Sequence, residues 1–221
     1  MTEDIETWLE MRFQNDPSKI QLVSCRFSEG EASAFPDDMA GLNLADILAA
    51  RGATGSPTEI ADLILEIDDA GGCSAIFHAF DEADVQRLMQ SEYGMIGSDG
   101  RLSHFGEARP HPRGYGTFPR VLGRYARELG VIDLPEAVRR MTSAPADRLG
   151  MADRGRIAPG MVADLTVFDP ETVIDRATFD DPHQYPVGIP HVFVAGIAVV
   201  RGGVVTGERP GVVLRGAGYT P

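Results

Sequence analysis

Basic charge, cysteine, histidine pairs and long apolar runs are all scarce in this chain of 221 residues, and each scarcity removes a class of function. Against 33 aspartates and glutamates stand 20 lysines and arginines, a formal net charge of −13, so a phosphate backbone or an anionic membrane surface is repelled rather than gathered. No nucleic acid and no membrane are expected as partners. Cys25 and Cys73 are the two cysteines, with no C-x-x-C pair, which indicates neither a disulfide framework nor a thiolate zinc knot. No window approaches the roughly 18 apolar residues of a membrane span. The start, "MTEDIETWLEMRFQ", is acidic and amphipathic where an export signal would be basic and then apolar. A soluble protein of the reducing cytoplasm is expected. The histidines are His78, His104, His111, His183 and His191, and no two lie one residue or one helical turn apart.

What is present suffices for a real core, since 43% of the residues are hydrophobic over a length that suits one large domain or two small ones. The pattern changes near residues 150–155, giving an expected division into 1–150 and 151–221. "SPTEIADLILEIDDAGG" is a well-punctuated helix: Ser56 caps it, Pro57 takes the first turn, Glu59 completes a capping box, and Gly71 and Gly72 end it. "CSAIFHAF" then has strand character, "DEADVQRLMQ" returns to helical spacing, and "YGMIG" is expected as a second short strand. Strand, helix, strand and loop in that succession suggest a parallel sheet with crossover helices, hence an α/β fold.

A glycine- and proline-rich loop is expected over residues 98–120, with helices resuming at "PRVLGRYARELG", at "DLPEAVRRM" and at "SAPADRLG", the last capped by Ser143. Beyond it, "GRIAPGMVADLTVFDP" and "HVFVAGIAVVRGGVVTG" carry β-branched runs broken by glycine turns, which predicts a small antiparallel sheet or half of a sandwich. Asp164, at the mouth of one such strand, suits a turn or an edge better than catalysis. Cys25 within "IQLVSCRF" is expected as a buried structural thiol, and His78 within "AIFHAF" as a packed histidine with one satisfied nitrogen. Arg26 is a candidate cation for a substrate carboxylate, although arginines at strand ends are usually solvated.

Asp99 lies in "MIGSDG", where an apolar run stops at one carboxylate flanked by glycines. Catalytic groups of α/β sheets and barrels collect at the carboxyl ends of strands. Glycines there let the backbone approach a ligand closely. A carboxylate so placed can take and return a proton. Ser-Asp-Gly is also a common turn, and the local string leaves both readings open.

Four blocks, "IGSDG", "HPRGYGTFPRVLG", "APADRLG" and "GRIAPGMVADLTVFDP", in this order resemble the carboxyl-terminal part of the N-acyl-D-amino-acid deacylases, the D-aminoacylase branch of the amidohydrolase superfamily. The resemblance covers most of the chain, chiefly residues 75–215. It implies the last units of a (β/α) barrel followed by strands of a small β-sandwich, zinc as cofactor, and hydrolysis of N-acyl-D-amino acids to a carboxylate and a D-amino acid. It further implies that Asp99 ends the last barrel strand as general acid/base, and that Ser98, His111 and Arg113 border the substrate.

The family's metal ligands are an early His-x-His pair, a cysteine and two further histidines, and no such set occurs here. This chain is therefore expected to bind no metal itself, and to resemble a barrel whose front half is absent. A barrel cut in this way leaves an open edge. Another chain carrying the metal-binding half, or a second copy, is the expected partner. The alternatives are a non-catalytic remnant or interaction module, and a different amidohydrolase such as a cyclic-amide hydrolase.

Overall fold

The computed structural model describes residues 2–27, 35 and 39–216. The chain forms two compact units. The first comprises Met1–Asp81, Arg101–His111 and Phe179–His183, and the second Glu82–Gly100, Pro112–Thr178 and Gln184–Pro221.

In the first unit, α1 (Thr2–Phe13) is followed by β1 (Ile20–Cys25), α2 (Leu44–Ala50), α3 (Pro57–Asp69) and β2 (Cys73–Phe77). Both inner helices start where the polar residues dictate. Asn43 caps α2 reciprocally with Asp46, and Ser56 caps α3 reciprocally with Glu59, each box satisfying two backbone donors that a helix end leaves without partners. Leu9 and Phe13 of α1, Leu44 and Ile47 of α2, and Ile60 and Leu63 of α3 are almost wholly buried in one cluster. Each such side chain contributes roughly 1.5–3 kcal/mol on leaving water.

Among the described residues the expected parallel sheet is not seen. β1 and β2 pair antiparallel, from Ile20 opposite Phe77 to Cys25 opposite Cys73, with a register shift between Leu22 and Ser24. The intervening helices return the chain to the carboxyl end of β1, beside Cys25, so the second strand runs back along the first. Cys25 and Cys73 are joined by a disulfide, which corrects the expectation of a free buried thiol at Cys25. The strand register, invisible in one-dimensional spacing, brings the two sulfurs together.

The second unit begins with α4 (Glu82–Met89). "YGMIG" then forms no strand, correcting that expectation, because among the described residues no strand pairs with it. The segment is tied instead by Ile96 N–H to the Arg140 carbonyl at 3.1 Å. α5 (Arg113–Arg120) begins inside the stretch expected as loop and contains Pro119. A π-helix, Val121–Glu128, continues it directly, and the Leu129 N–H reaches back five residues to the Arg124 carbonyl. Pro119 withdraws one donor from the α-ladder, and the wider turn follows at once.

Next come α6 (Leu134–Met141), capped by Asp133, whose side chain accepts from the Glu136 N–H, and α7 (Ser143–Leu149). The cap position of α7 is Thr142, which makes no side-chain cap bond; Ser143 is already the first helical residue, so its hydroxyl cannot serve as the expected N-cap. β3 (Leu165–Val167), β4 (His191–Val194), β5 (Ile197–Arg201) and β6 (Val204–Val205) form an antiparallel sheet in that order. Ala195 and Gly196 both take positive φ in the β4–β5 turn, the tight hairpin that suits strand twist. Asp164 accepts from the Ala195 N–H at 2.8 Å and pairs with Arg154, so it staples this turn, as its strand-mouth position suggested. No helix among the described residues is long and apolar enough to cross a membrane.

Candidate active site

Ser98, Asp99 and Arg113 come together in the second unit; His111 belongs to the first. Asp99 takes φ = +47°, a left-handed conformation that aspartate tolerates better than most residues but that still needs support from its surroundings. The support is local. The Ser98 hydroxyl oxygen accepts from the Gly100 N–H at 3.2 Å, closing the turn beneath the carboxylate. A side-chain carbon on Gly100 would sit 2.8 Å from the Gly114 Cα, so the turn is pressed directly against the first turn of α5, and only glycine permits that approach.

Arg113, next to Gly114 on that same turn, places Nη2 2.8 Å from Asp99 Oδ2. The Asp99 side chain is 88% exposed and that of Arg113 42%, so the ion pair itself contributes no more than about 1 kcal/mol. Backbone packing, not the pair, sets the geometry. This contact was missed in the sequence, where Gly100 and Gly114 looked like loop residues; fourteen positions apart, they give no periodic signal.

On its other side the turn is held through Arg140, whose side chain is only 4% exposed. Its Nη1 donates to the Met89 carbonyl and its Nε to Glu136 Oε1, both at 2.6 Å. Arg140 therefore fixes both ends of the segment leading to Asp99: its side chain holds Met89 and its carbonyl holds Ile96. Hydrogen bonds from Arg139 and then Arg140 hold the Glu136 carboxyl down to about 2. A cavity of about 410 Å³ lined by Glu92, Tyr93, Met95, Arg139, Asp147 and Arg148 opens nearby in sequence but does not include Asp99.

Tyr115, two residues past Arg113, stands edge-on to Tyr185 with ring centroids 5.8 Å apart. Burial, and then the neighbouring phenol, push its own ionisation upward, which keeps it a hydrogen-bond donor. In the first unit, His111 and His78 each meet Phe179 edge-on, at 5.0 and 4.5 Å. His78 Nε2 lies 3.4 Å from Gln21 Oε1, the packed state expected of it. Arg26 is exposed at the end of β1.

Among the described residues no group of three or more His, Cys, Asp or Glu is arranged to hold a metal ion. The disulfide also occupies both cysteines. These residues do not fit a zinc site.

A family model for the amidohydrolases matches residues 9–200. The chain belongs to the amidohydrolase family. It is 46% identical over 180 residues to a D-aminoacylase of Alcaligenes xylosoxydans xylosoxydans, covering 81% of this chain and 35% of that protein. To an N-acyl-D-glutamate deacylase of the same organism it is 50% identical over 141 residues, 64% of this chain and 28% of that one. Among solved structures, a crystal structure of D-aminoacylase is similar with a TM-score of 0.71 and 39% identity, over 86% of this chain and 36% of that chain. The N-acyl-D-glutamate deacylase of Bordetella bronchiseptica, complexed with zinc and a phosphonate inhibitor, is similar with a TM-score of 0.69 and 38% identity, over 90% and 36%. This amidohydrolase chain thus spans about a third of the length of the relatives it matches. The closed barrel of a complete (β/α) fold is not seen among its described residues.

Proposed function

We propose that this chain forms the carboxyl-terminal part of an N-acyl-D-amino-acid deacylase, with Asp99 as general acid/base. The observation that carries the reading is the 50% identity to a deacylase over a stretch that must include Asp99 and Arg113, since any 141 consecutive residues of 221 contain residues 81–141. The division near residue 150, with a barrel portion before it and a sandwich segment after it, is part of the same proposal.

Asp99 is suited to the role by its position: rigid in backbone, exposed at its carboxylate, and beside a cation. As the ionised base it takes a proton from the attacking water. As the acid it returns that proton to the nitrogen of the departing D-amino acid while the amide C–N bond breaks. Ser98 and Arg113 border the substrate, and the planar guanidinium of Arg113 matches its carboxylate, while the same role for His111, which belongs to the first unit, is proposed from the family motif alone. Zinc, by family likeness, enters with a chain that carries the metal-binding half; a further copy of this chain is proposed as a partner for its open edge alone. The compartment proposed is the cytoplasm.

The test is complementation. The chain is assayed for bound zinc and for hydrolysis of N-acetyl-D-glutamate, alone and after mixing with a polypeptide that carries the front half of a deacylase. No turnover is expected alone. Turnover is expected in the mixture and lost with Asp99→Asn. A mixture whose activity is indifferent to that substitution overturns the role of Asp99.

A further inference from the structure

We propose that the Cys25–Cys73 bond is a thiol–disulfide exchange site for a dithiol reductant, and that its state sets how firmly the end of the β1–β2 ladder is held. Three observations carry this. First, Cys25 and Cys73 are the terminal pair of the ladder, and both are partly exposed at the margin of the core cluster, so fraying of the last rung brings the sulfurs to a reductant. Second, the bond stands where the ladder gives out. A two-stranded ladder is marginal by itself, and among the described residues one backbone bond lies beyond the cysteines, Arg26 N–H to the Gly72 carbonyl at 3.0 Å, with Phe27 packed against the core and stacked on Phe35. Gly71, at φ = +129°, lets the chain pass the Arg26 carbonyl where a side-chain carbon would lie 2.1 Å away. Third, the two cysteines are 48 residues apart and enclose α2 and α3, so the bond restrains a large part of the first unit. In a compartment that keeps thiols reduced, a bond of this kind persists only as one side of a redox couple.

The exchange balances without any group from the protein beyond the two sulfurs. One thiolate of the reductant attacks a protein sulfur, breaks the Cys25–Cys73 bond and forms a mixed disulfide. The second thiolate then displaces that sulfur. Two electrons pass to the protein, the reductant leaves as its own disulfide, and both cysteines become thiols by taking up two protons. Trp8 reports the event. It is the single tryptophan of the chain and lines the same apolar cavity, about 360 Å³, as Cys73 and Phe77. A nearby disulfide quenches indole emission by accepting an electron; a thiol does so less.

The experiment uses the whole chain, prepared in air and treated with dithiothreitol under native conditions. Thiols are counted with Ellman's reagent, Trp8 emission is followed, and proteolysis within residues 26–72 is timed before and after. The expected result is no thiol before treatment and two per chain afterwards, appearing faster than the chain unfolds. Emission rises in step, and cleavage accelerates severalfold. The Cys25→Ser/Cys73→Ser double variant is expected to show the high emission from the start and no response. Should it fail to fold, reduced wild-type protein capped with iodoacetamide supplies the same comparison. Two thiols present before any reductant, thiols released only at the rate of global unfolding, or proteolysis unchanged by reduction would each overturn the proposal. None of these readouts depends on deacylase activity.

Discussion

Replacing Arg140 by methionine keeps most of the side-chain volume and removes the buried guanidinium that anchors the approach to Asp99. Two losses follow. The charge-assisted bond to Glu136 is worth about 1.5–3 kcal/mol, but Glu136 is partly exposed and keeps two bonds from Arg139, so it is not stranded as a lone buried charge. The Met89 carbonyl, bonded to Arg140 in a buried position, loses that partner at about 1–3 kcal/mol. Methionine recovers part of this by filling the space apolarly, as happens when buried ion pairs are replaced by hydrophobic residues. The expected net cost is about 2–4 kcal/mol, a fall in Tm on the order of 10 °C for a unit of this size. Urea denaturation measures the first quantity and calorimetry the second, while hydrogen exchange should show faster exchange at the Ile96 amide. Arg140→Lys should fall between, since an ammonium cannot span both acceptors in the fixed geometry of a guanidinium. A methionine variant within about 0.5 kcal/mol of the wild type, or an Ile96 amide as protected as before, would refute the reasoning.

The remaining expectations concern pH, one carboxylate and one glycine. Bonds from Thr54 and then Ser56 hold the Glu59 carboxyl down to about 2, and Glu136 is held equally low by Arg139 and Arg140. A folded value below the ordinary 4.5 means that both groups stabilise fully above that pH and lose the contribution as pH falls from about 4.5 towards 2. Denaturation midpoints should therefore be flat above pH 5 and fall below it, and Glu59→Gln should flatten part of that fall. Asp99→Asn, at an exposed side chain, should leave stability within about 0.5 kcal/mol yet lower turnover of the complemented enzyme at least about 100-fold, checked by denaturation and by assay. Gly123→Ala places a carbon 2.3 Å from the Val173 carbonyl oxygen, against buried backbone. Overpacking of about 1–3 kcal/mol should outweigh the roughly 1 kcal/mol that alanine gains as a helix former, and a variant as stable as the parent would show that the helix can shift.

Local chemistry was legible in the sequence, and partnership was not. The capping box at Ser56 and Glu59, the cap at Asp133 and the glycine-punctuated antiparallel tail all follow from residues within a few positions of one another. The direction of β2 against β1 and the pairing of Cys25 with Cys73 depend on how the chain returns across 48 residues, which no short window encodes. "YGMIG" has strand composition, but a strand exists only by hydrogen-bonding to a neighbour. The helical start at Arg113 was hidden by Gly114 and Gly116, which look like loop residues. In the fold they mark close contacts, with the Gly100 turn and with Asp175. Flanking glycines single out Asp99 as a candidate and the family resemblance supplies the proposed roles of Asp99 and Arg113; that the two touch is visible only in the structure.

The π-helix has a consequence for anyone who edits this chain. An α-helix advances about 100° per residue, so each extra residue taken up by widened turns sets everything downstream back by about that angle from where an unbroken α-helix would place it. Val121–Glu128 thereby acts as a phase adjuster: it lets Gly123 and Arg127 both address the carbonyl of Val173 while α5 keeps Arg113 on Asp99. Tightening Val121–Glu128 into an α-helix of the same length would carry everything after it onward around the axis and swing one of those two appointments out of reach.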